Sequence, residues 1–181
     1  MRPLLSLAVL IAFAATVFAE EKPTKMLIAE AVLPLPEPLR ARATVVSYDA
    51  SGVRSILRQG TNDLICDVDG PSEGYFVMCY HDSLAPHFQQ RKKWAADGKG
   101  GAEIDRLLLE AMEDGSLPIP QAGAVNYVLQ GPVVSGATPL FVMHLPGGTA
   151  ESTGLSTDLD HYRPWLMGAG TAWAHVMIPG K

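Results

Sequence analysis

The sequence predicts an α+β fold, in which an antiparallel sheet of about six or seven strands carries two main helices on one face. Segments of alternating apolar residues, typical of strands, occur before residue 80 and again after residue 124. Two amphipathic helical segments lie between these groups. The two cysteines, Cys66 and Cys79, flank a turn-like segment in the first group.

The chain begins with a predicted signal peptide over residues 1–19. Arg2 precedes an apolar run from Leu4 to Ala15, and small or modest residues lead to a cleavage point after Ala19. The run is shorter than the ~20 apolar residues that span a bilayer, so we expect export rather than a membrane anchor. The mature chain is therefore expected in the periplasm or the extracellular space, with no integral membrane segment.

The composition of the mature chain restricts its partners. Removal of residues 1–19 leaves 162 residues, enough for one domain with a sizeable core. They include 13 basic and 19 acidic residues, a net charge of −6, which argues against a nucleic-acid partner because phosphates require a basic surface. We expect a short helix and a proline-rich, extended spacer over 20–42, followed by a single α+β domain over 43–181.

Four strands are predicted at the start of this domain, and we expect them to form an antiparallel meander. Residues 43–48 and 53–58 flank a turn at 49–52. Residues 64–68 and 75–79 flank a second turn at 69–74, which would make a hairpin with Cys66 opposite Cys79.

This hairpin predicts a disulfide. Directly opposed residues of an antiparallel pair have Cα atoms about 4.5–5.5 Å apart, which suits a bridge between Cys66 and Cys79. Two cysteines in an exported protein also favour a structural disulfide. The alternative is a zinc site formed by Cys66, Cys79, His81 and His87, but their spacing matches no familiar zinc pattern.

Two helices are predicted after the hairpin. The first begins at Ser83 and ends before the glycine-rich segment 97–101, and its basic run Arg91-Lys92-Lys93 is expected to be solvated. The second spans 102–114.

The rest of the chain is predicted to contain strands at 124–129 and 140–145 and a final strand. On that final strand Trp173, His175 and Met177 share one face. The segment 146–163, rich in Gly, Thr, Ser and Asp, is expected to be a surface loop that contacts partners.

The C-terminal segment PWLMGAGTAWAHVMIP carries a resemblance, which shorter motifs elsewhere share. Those motifs are Gly60-Thr61-Asn62 before Cys66, Met78-Cys79, and Val128-Leu129-Gln130-Gly131. Together they resemble a family of uncharacterised exported bacterial proteins that end in PW-[VL]-M-x-x-G-T-x-x-AH-x-M-[VI]-P. The resemblance covers the chain from about Ala43 and implies export and a single compact domain, but no activity. The chain departs from the family pattern at 63–65, where an aromatic residue is usual, and at Gly168, where tryptophan is usual.

The leading functional hypothesis is a non-enzymatic domain that binds a small molecule or a protein through the loop at 146–163. Aromatic residues adjoin this polar loop, as is common in binding sites. The candidate ligand-binding residues are Tyr162, Trp165, Trp173 and His175. No cofactor is predicted, and the sequence does not identify the partner.

Two other classes of function stay open. The first is a copper- or zinc-binding protein that uses His144 and His175, with Met177 as a further candidate, since imidazole and thioether ligands suit copper. The second is a hydrolase with an unrecognised site. Its acid/base candidates are His81 with Asp82, and His161 with Asp158 and Asp160, but no catalytic residue is assigned. Such histidines and methionines are also ordinary core residues.

Overall fold

A computed structural model describes residues 22–68 and 74–180. The predicted signal peptide and most of the predicted turn at 69–74 lie outside these residues. The described part is mixed α and β, with five α-helices and eight strands. The helices are α1 (Thr24–Ala31), α2 (Glu37–Arg40), α3 (Ala85–Ala96), α4 (Gly101–Glu113) and α5 (Ala150–Thr153). The strands are β1 (Thr44–Tyr48), β2 (Arg54–Arg58), β3 (Leu64–Asp67), β4 (Tyr75–His81), β5 (Val125–Gly131), β6 (Thr138–His144), β7 (Trp165–Met167) and β8 (His175–Pro179).

The eight strands form one sheet in the order β2-β1-β3-β4-β5-β6-β8-β7. Every neighbouring pair is antiparallel except β1 and β3, which are parallel. The prediction of six or seven strands, all antiparallel, is therefore wrong in number and at this pair. The unpredicted strand is β7, whose three residues are too few to show an alternating pattern.

The predicted meander fails because the chain crosses the start of β1 after leaving β2. The backbone N–H groups of Thr61 and Asn62 donate to the carbonyl oxygen of Arg42 at 2.7 and 3.1 Å. Gly60 runs so close to this backbone that a Cβ atom there would overlap the Arg42 carbonyl. A glycine at position 60 thus permits the crossing, and β3 lies beside β1 instead of β2.

The connection between β7 and β8 also requires a glycine. Gly168 follows β7 directly and has a φ of 65°, in the left-handed region that side-chain-bearing residues avoid. A residue with a side chain would be strained in this conformation.

Helices lie against both faces of the sheet, with α1 on the face of the two cysteines and α3 on the opposite face. Ala31 of α1 and the nearby Leu35 are fully buried with the two cysteines. Phe88 of α3 packs on Tyr80, which follows Cys79 in β4 and so points to the opposite face. Part of the predicted spacer thus belongs to the core.

The proline-rich segment was predicted to be extended, but part of it is helical. Glu37–Arg40 forms the one-turn helix α2, and Pro38 lies in its first turn, where a proline costs no backbone hydrogen bond. The Arg40 guanidinium donates to the carbonyl oxygens of Leu33 and Leu35 at 3.0 and 2.7 Å, which fixes the turn to the preceding chain.

Ion pairs attach α3 to its surroundings, so the basic run at 91–93 is not simply solvated. Lys92 Nζ lies 3.0 Å from a carboxylate oxygen of the buried Asp67 in β3. Arg91 pairs with Asp105 of α4 at 2.6 Å. These contacts hold α3 between the sheet and α4.

The predicted disulfide is confirmed. Cys66 of β3 is registered opposite Cys79 of β4, their Cα atoms are 3.9 Å apart, and the S–S distance is 2.06 Å. The bridge occupies both sulfurs, so the zinc alternative that used them with His81 and His87 is wrong.

None of the helices in the described ranges is both long enough and apolar enough to cross a membrane.

We expect loss of the disulfide to lower the free energy of unfolding by about 3 kcal/mol, because the bridge limits the entropy of the unfolded chain. The measurement is urea denaturation of the oxidised protein and of the double variant C66A/C79A. Reduced wild-type protein is the control that keeps both sulfurs in the core. If the reduced protein and the oxidised protein unfold at the same urea concentration, the bridge contributes nothing and this expectation is wrong.

Candidate functional site

Three histidines and a tryptophan meet on the face of the sheet that α3 covers. His144 ends β6 and is registered opposite His175, the first residue of β8, with their ring centres 5.4 Å apart. The Trp173 ring lies 4.5 Å from the His144 ring and 5.1 Å from the ring of His87 in α3. We call His87, His144, Trp173 and His175 the histidine cluster.

Backbone hydrogen bonds hold the cluster in place. The N–H of His144 donates to the carbonyl of Ala124 at 2.8 Å, and the next N–H, of Leu145, donates to Ala174 at 2.8 Å. His144 is thus fixed between the start of β5 and the start of β8. Trp173 lies in the turn before β8 and not, as had been predicted, on the last strand, but its ring lies 6.4 Å from that of His175 and so belongs to the same cluster.

The hydrogen bonds of the rings define which nitrogens carry hydrogen. His175 Nδ1 lies 2.7 Å from the carbonyl oxygen of Trp173, and His87 Nε2 lies 2.6 Å from that of Pro118. A carbonyl oxygen only accepts, so these nitrogens donate, and the other nitrogen of each neutral ring has a free lone pair. His144 differs, because neither of its ring nitrogens has a hydrogen-bond partner in the described part of the chain.

The cluster favours neutral imidazoles. Burial, reinforced by the neighbouring His175 and His87, lowers the pKa of His144 to about 3. Burial likewise lowers the pKa of His87 and of His175. A neutral imidazole is the form that binds metal ions, so these rings are in a ligating state at neutral pH.

Methionines border the cluster. Met177 lies two residues after His175 in β8 and shares its face, as predicted. Met167 of β7 is registered directly opposite His175 and was missed, because β7 itself was not predicted. In the described part of the chain, no group of three or more His, Cys, Asp or Glu side chains could hold a metal ion.

The other predicted ligand-binding residues do not converge. Tyr162 is 93% exposed, whereas Trp165 is buried in β7, opposite Met177, and Trp173 belongs to the histidine cluster. The loop at 146–163 therefore presents one aromatic side chain to solvent instead of three.

Asp160 organises the turn that carries Tyr162. Its Oδ1 accepts hydrogen bonds from the backbone N–H groups of Tyr162 and Arg163 at 2.8 and 3.1 Å, and its Oδ2 accepts one from Arg163 Nε at 2.7 Å. The Tyr162 N–H contributes most to lowering the pKa of the Asp160 carboxyl. We call residues 158–163 the Asp160 turn. A depression of about 450 Å³ adjoins it, lined in part by Leu155, Asp158 and Arg163.

The predicted acid/base groups have local structural roles. His81 Nδ1 accepts from the Ser83 backbone N–H at 3.3 Å and lies 2.8 Å from Ser83 Oγ, while Nε2 lies 3.4 Å from Asp63. Asp82 also lies 3.4 Å from the ring. Because one nitrogen of His81 serves both polar groups of Ser83, the arrangement caps the 3-10 helix at Asp82–Leu84.

The histidine cluster predicts a pH-dependent stability. The unfolded His144 has an ordinary pKa near 6.5 and the folded one a pKa of about 3, so between these values the unfolded chain binds more protons. The contribution of His144 to the free energy of unfolding is fully present above pH 6.5 and is lost as the pH falls. For one such histidine, the free energy of unfolding decreases by about 2 kcal/mol from pH 7 to pH 5.

Urea denaturation at pH 7, 6 and 5 measures this dependence. We expect His144→Asn to reduce this dependence, with His87 and His175 still contributing to it, and His161→Asn, at an exposed position, to leave it unchanged. A wild-type midpoint that does not move between pH 7 and pH 5 would contradict the assignment of His144 as a buried neutral ring.

Comparisons with known proteins assign no family to this chain: no family model, no curated protein and no solved structure matches it. The resemblance of its C-terminal segment to exported bacterial proteins stays a prediction. Two places in the described residues have chemistry suited to binding. They are the buried histidine cluster and the exposed Asp160 turn.

Proposed function

We propose that the mature protein is an exported, non-enzymatic binding domain that holds a protein partner against the Asp160 turn. The observation that carries this proposal is the 93% exposure of Tyr162 on a turn whose backbone is fixed by hydrogen bonds. Tyrosine is among the residues most often found at the energetic centre of protein interfaces.

The order of the turn before binding favours this role. An exposed side chain on a loosely held backbone loses conformational freedom when it is bound, and that loss weakens affinity. Here the Asp160 carboxylate already fixes the backbone at Tyr162 and Arg163. The turn therefore presents its tyrosine in one backbone arrangement, at low entropic cost to the complex.

The surroundings of Tyr162 complete a contact surface. Leu159 is another large exposed apolar residue of the same turn. The adjoining depression of about 450 Å³ has Asp158 and Arg163 at its border, so it offers charges of both signs beside apolar surface. Interfaces between proteins combine an apolar centre and a polar rim in this way.

Export supports the choice of partner. A buried disulfide is typical of proteins that fold in an oxidising compartment, and the first 19 residues have the pattern of a signal peptide. The family resemblance implies the same destination. The partner is then a protein of the periplasm or the extracellular space.

A photo-crosslinking amino acid at position 162 tests the surface in the producing organism. We expect it to form a discrete adduct with one exported protein, which mass spectrometry identifies. Position 119 is the control, because Ile119 is 60% exposed outside the loop. Equal adducts from both positions, or none from position 162, would rule out this surface.

The identified partner then allows an affinity measurement. Tyr162→Ala is expected to weaken binding by about 2 kcal/mol, the scale of an interface hot spot. Asp160→Ala should also weaken it, because the turn loses its internal hydrogen bonds, whereas Ile119→Ala should have no effect. A small molecule released from the purified protein, in place of a protein adduct, would contradict the proposal that the partner is a protein.

A further inference from the structure

His144 is buried without hydrogen bonds to either ring nitrogen. The residue is 1% exposed, and both nitrogens lack a partner in the described part of the chain. An unsatisfied buried polar group costs about 1–3 kcal/mol, so native structures rarely retain one unless another species binds it. The position of His144 therefore points to an occupant that interacts with imidazole nitrogen.

Two further ligand groups lie in line with His144 across the sheet. His144 of β6 is registered opposite His175 of β8, which is registered opposite Met167 of β7. Opposed residues of antiparallel strands share a face and have Cβ atoms about 4.5–5.5 Å apart. Two imidazoles and one thioether thus form a row at this end of the sheet.

The imidazole of His175 is oriented as a metal ligand. Its Nδ1 donates to the Trp173 carbonyl at 2.7 Å, which leaves the lone pair of Nε2 available. Metal-binding histidines commonly donate their other N–H to a backbone carbonyl in this manner. The ring centres of His144 and His175 are 5.4 Å apart, a separation that a single ion about 2 Å from a nitrogen of each ring can bridge.

The geometry points to a Cu(I) site, and we propose that His144, His175 and Met167 are its ligands. Thioether and imidazole groups together favour Cu(I), whereas zinc prefers four ligands from cysteine, histidine and carboxylate. In the described residues no group of three or more such side chains could hold an ion. Met167 is 51% exposed, which gives the ion a route from solvent.

The Trp173 ring is the remaining neighbour of the proposed site. Its centre lies 4.5 Å from that of His144, in an edge-to-face arrangement. This site is separate from the Asp160 turn, and the two proposals stand or fall independently.

Cu(I) titration of the purified mature protein, in competition with a chromophoric Cu(I) chelator, tests the site. Ascorbate keeps the copper reduced and leaves the disulfide intact, so free thiolates do not contribute. We expect one Cu(I) per chain. His175→Ala should abolish stoichiometric binding, and Met167→Leu should weaken it by about tenfold, on the scale of the losses seen when metal sites lose a supporting group.

Met26→Leu is the matched control, because Met26 of α1 has the same 51% exposure and lies away from the cluster. It should leave the affinity unchanged. Urea midpoints of the three variants show whether each one folds. The proposal is overturned if no Cu(I) binds, if Met167→Leu and Met26→Leu behave alike, or if Zn(II) binds stoichiometrically in a parallel titration and Cu(I) does not.

Discussion

The Cys66–Cys79 disulfide is the constraint on which the rest of the structure depends. It links β3 to β4 near the middle of the sheet, and β3 is the strand that makes the parallel pair with β1. The carbonyl oxygen of Ala31 lies 3.3 Å from Cys79 Sγ, so α1 packs directly on the sulfurs. Both cysteines are fully buried in the same cluster as Leu35. The bridge therefore links β3 to β4, and α1 packs on it in the same core.

The register that begins at this bridge also determines where the histidine cluster lies. Tyr80 follows Cys79 and so faces α3, where it packs on Phe88. From Tyr80 the register passes through Asn126 and Val142 to Met177, with every residue of this row on the same face. His144 lies on that face two residues after Val142, and His175 lies on it two residues before Met177. A slip of one residue between β4 and β5 or between β5 and β6 would turn both imidazoles to the other face and away from α3, and a slip between β6 and β8 would turn His175 alone.

Much of this fold could be predicted from local pattern. Apolar alternation located seven of the eight strands, and the alternation on both sides of the 69–74 segment favoured a hairpin with Cys66 opposite Cys79. The parallel pair could not be predicted, because it depends on a close approach at Gly60 between segments that are distant in sequence. The burial of Ala31 was missed for a different reason, because a short helix flanked by prolines carries little periodicity. His144 and His175 were identified as candidates, but Met167 was not, since a three-residue edge strand has no signature of its own.

We propose that the chain folds in an oxidising compartment, where its two sulfurs are joined. Mass spectrometry of the naturally exported protein tests this claim most directly, after denaturation in an alkylating reagent without reductant and proteolysis between the cysteines. The account predicts a cross-linked peptide pair that contains Cys66 and Cys79, with no alkylated cysteine, from a chain that begins at Glu20. Recovery of both cysteines as alkylated peptides would contradict it.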